Sequence, residues 1–178
     1  MLTNEDKTTL LRIAREAVAA ETCGRSLALS APPVMCDAAG VFVTLKRGRE
    51  LRGCIGTLQC RGGLADEVAR TARESASHDP RFPRVSPDEL DELSLEISVL
   101  GPLEPIGPSA PDVIVIGKHG LVVEQGMRRG LLLPQVATEW GWTSDQFLRQ
   151  TCRKAGLADD AWQHGAQVYR FEADVFGE

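Results

Sequence analysis

Metal-ligand spacing is missing from this chain, and so are the marks of a membrane or secreted protein. The five cysteines, Cys23, Cys36, Cys54, Cys60 and Cys152, are odd in number and scattered. They form no C-x-x-C pair, and no histidine stands at ligand spacing from them, so reduced thiols are expected and a zinc site is not. No apolar run approaches the roughly 20 residues that a membrane span needs. Met1-Leu2-Thr3-Asn4-Glu5-Asp6 lacks the basic and apolar regions of a signal peptide, which leaves a cytoplasmic location as the expectation. Aromatic residues are 5% of the chain and the net charge is −5, a balance that argues against nucleic acid as the partner.

What is present is enough apolar material, 43% of 178 residues, to bury one substantial core. A single domain over 1–178 with a smaller lobe is expected. Pro102, Pro105, Pro108 and Pro111, three residues apart, predict an extended connector near 101–112 at the seam.

Local signals place the elements. Thr3 and Asp6 form a capping box ahead of Leu10, Ile13, Ala14, Ala17 and Val18 at helical spacing, which predicts a helix from about 4 to 21. Pro32-Pro33 ends whatever follows it. Val41 to Leu45 reads as a strand, and Lys46 to Glu50 as a hairpin loop. A helix is predicted from about Leu64 to Ser77. The preceding Arg61-Gly62-Gly63 offers free N–H groups to an anion but lacks the rest of a phosphate-binding fingerprint, so a tight turn is the better reading. Two prolines stiffen His78 to Pro83, and Ser86 with Glu89 caps a short turn that leads into the alternating strand Leu93 to Leu100. Further on, Val113 to Ile116 and Leu121 to Glu124 read as a hairpin, and Gly130 to Pro134 as a strand. Gln135 to Trp140 reads as a short helix, a second helix is capped by Thr143 and Gln146, and Val168 to Phe176 is the last strand.

One stretch carries chemistry. Leu51-Arg52-Gly53-Cys54-Ile55-Gly56-Thr57 is strand-like yet holds two glycines, which mark a bulge or the close approach of a ligand or another backbone. Regular alternation sets Arg52, Cys54 and Gly56 on one face and Gly53, Ile55 and Thr57 on the other. A cation beside a thiol favours the thiolate, its reactive form, which makes Cys54 the candidate catalytic group; a small packed cysteine is the competing reading. Arg52 and Arg81 are candidates to clamp a carboxylate or phosphate, or else to brace the fold through Glu96 or Asp79. Glu96 reads as a solvated or bridging acid that lines the same ligand site. Lys46, Arg47, Arg49 and Arg52 form the densest basic cluster, better read as a solvated loop than as an RNA contact. His78 is a base only if folding brings it to Cys54. His119, His164 and Cys152 read as structural or surface residues.

Leu51-Arg52-Gly53-Cys54-Ile55-Gly56 resembles the signature of the AMMECR-type domain family. Asp79 to Phe82, Glu96 to Leu100, Gly130 to Val136 and Phe147 to Leu157 are similar to that family's further blocks, in the same order and over nearly the whole chain. The resemblance implies an α+β fold, with a mostly antiparallel sheet flanked by helices and the signature near a cleft between a larger and a smaller lobe. A stand-alone copy resembles the AMMECR component of the AmmeMemoRadiSam system, which implies a Memo-like protein and a radical-SAM protein as partners. It supplies no settled reaction, substrate or cofactor. The leading expectation is an enzyme or enzyme component that binds a small anionic ligand through Arg52, Gly53, Ile55, Gly56, Thr57, Arg81 and Glu96 beside Cys54. The alternatives are an adaptor that docks such a partner through the motif and, more weakly, an RNA-binding module.

Overall fold

The computed structural model describes residues 2–27, 37–60, 63–107 and 110–178. Pro32-Pro33, Arg61-Gly62 and Pro108 fall outside them. Helix α1 (Asn4–Thr22) starts where the Thr3 hydroxyl accepts from the Asp6 N–H and the Asp6 carboxylate accepts from the Thr3 N–H, so two orphan N–H groups are satisfied together. Strands β1 (Gly40–Arg47) and β2 (Glu50–Thr57) form a hairpin whose turn needs Gly48 at φ +61°, a conformation costly for any residue with a Cβ. Helix α2 (Leu64–Ser77) and a 3₁₀ turn over Pro87–Glu92 lead into β3 (Leu93–Leu100). Leu10, Ile13 and Val18 of α1 and Val68 and Ala72 of α2 are buried with Val41, Val43, Leu45, Leu95 and Ile97, so both helices cover one face of this sheet.

The chain then builds a second compact unit, residues 101–173, while 1–100 and 174–178 form the first. The second unit holds β4 (Glu104–Ile106), α3 (Ala110–Val113), β5 (Gly120–Gln125), β6 (Arg128–Leu132), α4 (Pro134–Glu139), α5 (Ser144–Lys154) and β7 (Gln167–Phe171). Its sheet runs β4-β7-β5-β6, all antiparallel, and its core joins Leu121, Val123, Leu132, Phe147, Leu148 and Trp162. Strand β8 (Ala173–Gly177) returns to the first unit's sheet, ordered β2-β1-β3-β8. The fold is α+β.

Three segments differ from expectation. The 101–112 stretch is not one extended connector: Pro105 sits in the edge strand β4, where its missing N–H costs no ladder bond, and Pro111 lies in α3. Val113 to Ile116 is no strand, because the His119 N–H and the His119 ring both bond back to Val115 and close a turn there. The hairpin of this region is β5–β6. Val168 to Phe176 is two strands in two sheets, parted at Glu172, whose carbonyl accepts the Gly101 N–H. Among the described residues, no helix is long and apolar enough to cross a membrane.

Candidate functional site

Strand β2 is an edge of its sheet, and three residues secure it. Gly53 is one: a Cβ there would stand 2.2 Å from the Ser75 carbonyl oxygen, so only glycine lets α2 lie this close to the strand. Ser75 is the second. Its Oγ accepts the Ile55 N–H at 2.9 Å and lies 2.8 Å from the carbonyl oxygen of Val43, the register partner of Ile55, which builds a helix side chain into the β1–β2 ladder. The third is Asp79, whose side chain is 2% exposed. Its Oδ2 accepts the Cys54 N–H at 2.8 Å and its Oδ1 accepts the Arg81 N–H at 3.1 Å. Arg81 grips the same carboxylate through Nε and Nη2, and Nη2 also donates to the Cys54 carbonyl at 3.3 Å. The Asp79–Arg81 pair thus takes both outward backbone groups of Cys54, as a neighbouring strand would. Arg81 foremost holds the Asp79 carboxyl well below the usual carboxylate range, against the opposing effect of burial, and the Cys54 N–H adds to its hold.

Arg52 departs from the expected alternation. Leu45 faces Gly53 but Lys46 faces Leu51, so Arg52 is the extra residue of a β-bulge and is taken out of the register that would set it beside Cys54. Its side chain is 12% exposed, and the guanidinium makes a two-pronged pair with Glu89 at 2.7 and 3.0 Å and donates to the carbonyls of Pro83 and Arg84. The Glu89 carboxyl falls to about 2, chiefly through Arg52 and then through the Ser86 N–H. Arg52 and Arg81 therefore each hold an acid of their own, and Arg52 ties β2 to the cap of the 3₁₀ turn.

The thiol looks the other way. Thr44 lies opposite Cys54 on one side and Glu96 on the other, so Cys54, Thr44 and Glu96 form one row across β2, β1 and β3 on the face opposite the helices. Thr44 Oγ1 donates to Cys54 Sγ at 3.3 Å, and Lys46 Nζ pairs with Glu96 at 2.9 Å. Phe42 closes one end, its ring over Gly56, where a Cβ would stand 2.0 Å from a ring carbon. Cys54 is half-buried here.

Of the residues expected from sequence, the fold brings Cys54 and Glu96 onto one face, with Arg81 at the backbone of Cys54. Gly53 and Ile55 instead serve the contact with α2. Thr57 closes a turn, its Oγ1 accepting the Gln59 N–H. Gly56 is covered by Phe42, and His78 bonds through Nδ1 to the Ser77 hydroxyl. Thr44, Lys46, Ser75 and Asp79 were not singled out as site residues. The first two follow from the β1–β2 register, while the last two act from outside the hairpin, where periodicity is silent. Among the described residues no group of three or more His, Cys, Asp and Glu is placed to hold a metal ion.

This arrangement rests on residues spread from Phe42 to Glu96, and the comparisons with known proteins cover all of them. A protein of Methanothermobacter thermautotrophicus is 45% identical over 99% of this chain and 96% of its own length. A protein of Thermococcus gammatolerans is 50% identical over 83% of this chain and 76% of its own. The crystal structure of the uncharacterized protein PH0010 from Pyrococcus horikoshii superposes with a TM-score of 0.86 at 42% identity, covering 95% of this chain and 89% of that one. The AMMECR1 family model matches residues 11–176, a span that takes in both units and every residue of the site, and the chain belongs to the AMMECR1 family.

Proposed function

We propose that the sheet face bearing Cys54 binds a small polar ligand with an anionic group, and that the protein works there as an enzyme or a component of one. The observation that carries the reading is the cross-strand row in which a half-buried thiol accepts a hydrogen bond from Thr44 beside the Lys46–Glu96 pair. Such a row sets a nucleophile-type group, a hydroxyl, a carboxylate and an ammonium at strand spacing, roughly 5 Å apart from one strand to the next. Lys46 Nζ, an ammonium with three donors, keeps N–H groups for an anionic ligand after its bond to Glu96, whereas Arg52 and Arg81 are turned to Glu89 and Asp79. The adaptor reading, with a partner strand added at β2, finds less support, because Asp79 and Arg81 occupy the outward N–H and C=O of Cys54. RNA binding through the hairpin finds less still, since Arg47 and Arg52 pair with Glu92 and Glu89.

Iodoacetamide labelling of folded protein, read by peptide mass, tests the reading. Cys54 should react faster than the more exposed Cys23, and the phenotype of a gene deletion should be rescued by wild type but not by Cys54→Ala or Lys46→Met. A slow Cys54 together with full rescue by both variants overturns it.

A further inference from the structure

The second unit has a cavity of its own, of about 440 Å³, that no residue of the Cys54 face lines. Its walls include His119, Lys118, Arg170 and Phe171, with Glu104 and Glu172 among the lining residues. That volume is within the range of small-molecule sites, about 300–1,000 Å³.

His119 is 6% exposed and its Nδ1 accepts the Val115 N–H at 3.0 Å. Burial above all, then the charges of Arg170 and Lys118, disfavour the imidazolium. A neutral ring with Nδ1 as acceptor carries its proton on Nε2. Among the described residues no protein acceptor takes that proton, while Nδ1 is turned to the backbone and the ring lines the cavity. The cations are distributed unevenly with respect to their partners. Arg170 is 31% exposed and is held by Glu104 and the Val113 carbonyl, whereas Glu104 and Glu172, the partners of Arg170 and Lys118, are both more than 60% exposed. The positive charge of Arg170 lies deeper than the negative charge that answers it. Phe171 also lines the cavity, but it is fully buried and packs on Gly120, where a Cβ would stand 2.3 Å from its ring, so it fixes the wall rather than offering surface.

We infer that this cavity is a binding site for a small organic carboxylate, which takes the His119 Nε2–H and the charge of Arg170 and Lys118. A carboxylate suits the set because it accepts from a neutral imidazole and a guanidinium at once. The site is separate from the Cys54 face and stands or falls without it.

The test is a titration of the full chain with acetate, benzoate and succinate, followed by the side-chain ¹H–¹⁵N signals of His119 and the backbone amides of 115–120 and 170–172. At least one of the three should shift these signals saturably. Binding should weaken tenfold or more in His119→Asn, whose side-chain oxygen can still accept the Val115 N–H, and in Lys118→Met, a change at an exposed side chain. Cys54→Ala should leave the titration unchanged. No saturable shift with any of the three, equal affinity in both cavity variants, or saturable binding of inorganic phosphate in their place overturns the inference.

Discussion

Replacing Asp79 with alanine should destabilise the first unit by about 3 kcal/mol. The Cys54 N–H loses its acceptor beside a packed edge, a loss of about 1–3 kcal/mol. The ion pair adds less than its geometry suggests, because the Arg81 side chain is 54% exposed and falls back into water, so about 1 kcal/mol is assigned to it. Asp79→Asn keeps an acceptor for the N–H and should cost about 1 kcal/mol. Arg81→Ala should cost about as little, since the two backbone N–H donors remain on the carboxylate. Urea unfolding measures these differences, with a midpoint shift of about 2 M for the alanine variant if the slope is about 1.5 kcal/mol per M. All three tryptophans and the one tyrosine belong to residues 101–173, so their fluorescence reports the second unit. The first unit has to be followed by far-ultraviolet circular dichroism. Because the Asp79 carboxyl is held below its ordinary range, the gap between wild type and Asp79→Asn should be flat above the unfolded value of about 4 and narrow as the pH falls below it. Asp79→Ala within 1 kcal/mol of wild type, or Arg81→Ala costing more than Asp79→Ala, would refute the reasoning.

Gly53→Ala should lose at least about 2–3 kcal/mol in the same urea experiment, because the added methyl meets the Ser75 carbonyl and α2 has to move; a near-neutral result means that the helix is not seated on the strand. Glu89→Gln should cost about 2 kcal/mol at pH 7, a figure set below the full shift from 4.5 to about 2 because the side chain is 18% exposed. That stabilisation is complete above pH 4.5 and disappears as the pH falls towards 2, so denaturation curves of wild type and variant should converge on acidification. Ser75→Ala should lower stability by about 1–2 kcal/mol and speed amide exchange at Ile55, which loses its acceptor; an unchanged exchange rate there would remove Ser75 from the ladder.

Elements set by local chemistry were readable from the chain. Thr3 with Asp6, Ser86 with Glu89 and Thr143 with Gln146 each announce a helix start through groups three residues apart, and all three boxes are formed. The rows of the site depend on register. The turn at Gly48-Arg49 alone would pair Cys54 with Val43, and the extra residue at Arg52 moves it to Thr44. The bulge at Arg52 does not follow from alternation, since one extra residue reverses what every later position would face. Glu89 reaches Arg52 across 37 residues, and nothing in the spacing around either one names the other. Glu172 parts β7 from β8 where Val168 to Phe176 alternates without a break, because both sheets accept the same pattern and only the tertiary fold decides between them.

The return of β8 to the first sheet gives the chain an order of assembly. A ribosome releases every residue of the second unit before the strand that completes the first, so residues 101–173 can close on local contacts while the first sheet still lacks β8. Until residues 173–177 arrive, β3 is an open edge, and a nascent chain cut short at 172 would keep that edge bare. Leu2 and Lys7 both bond Asp174, so α1 and the residue before it are tied to a strand that is made only after the whole second unit.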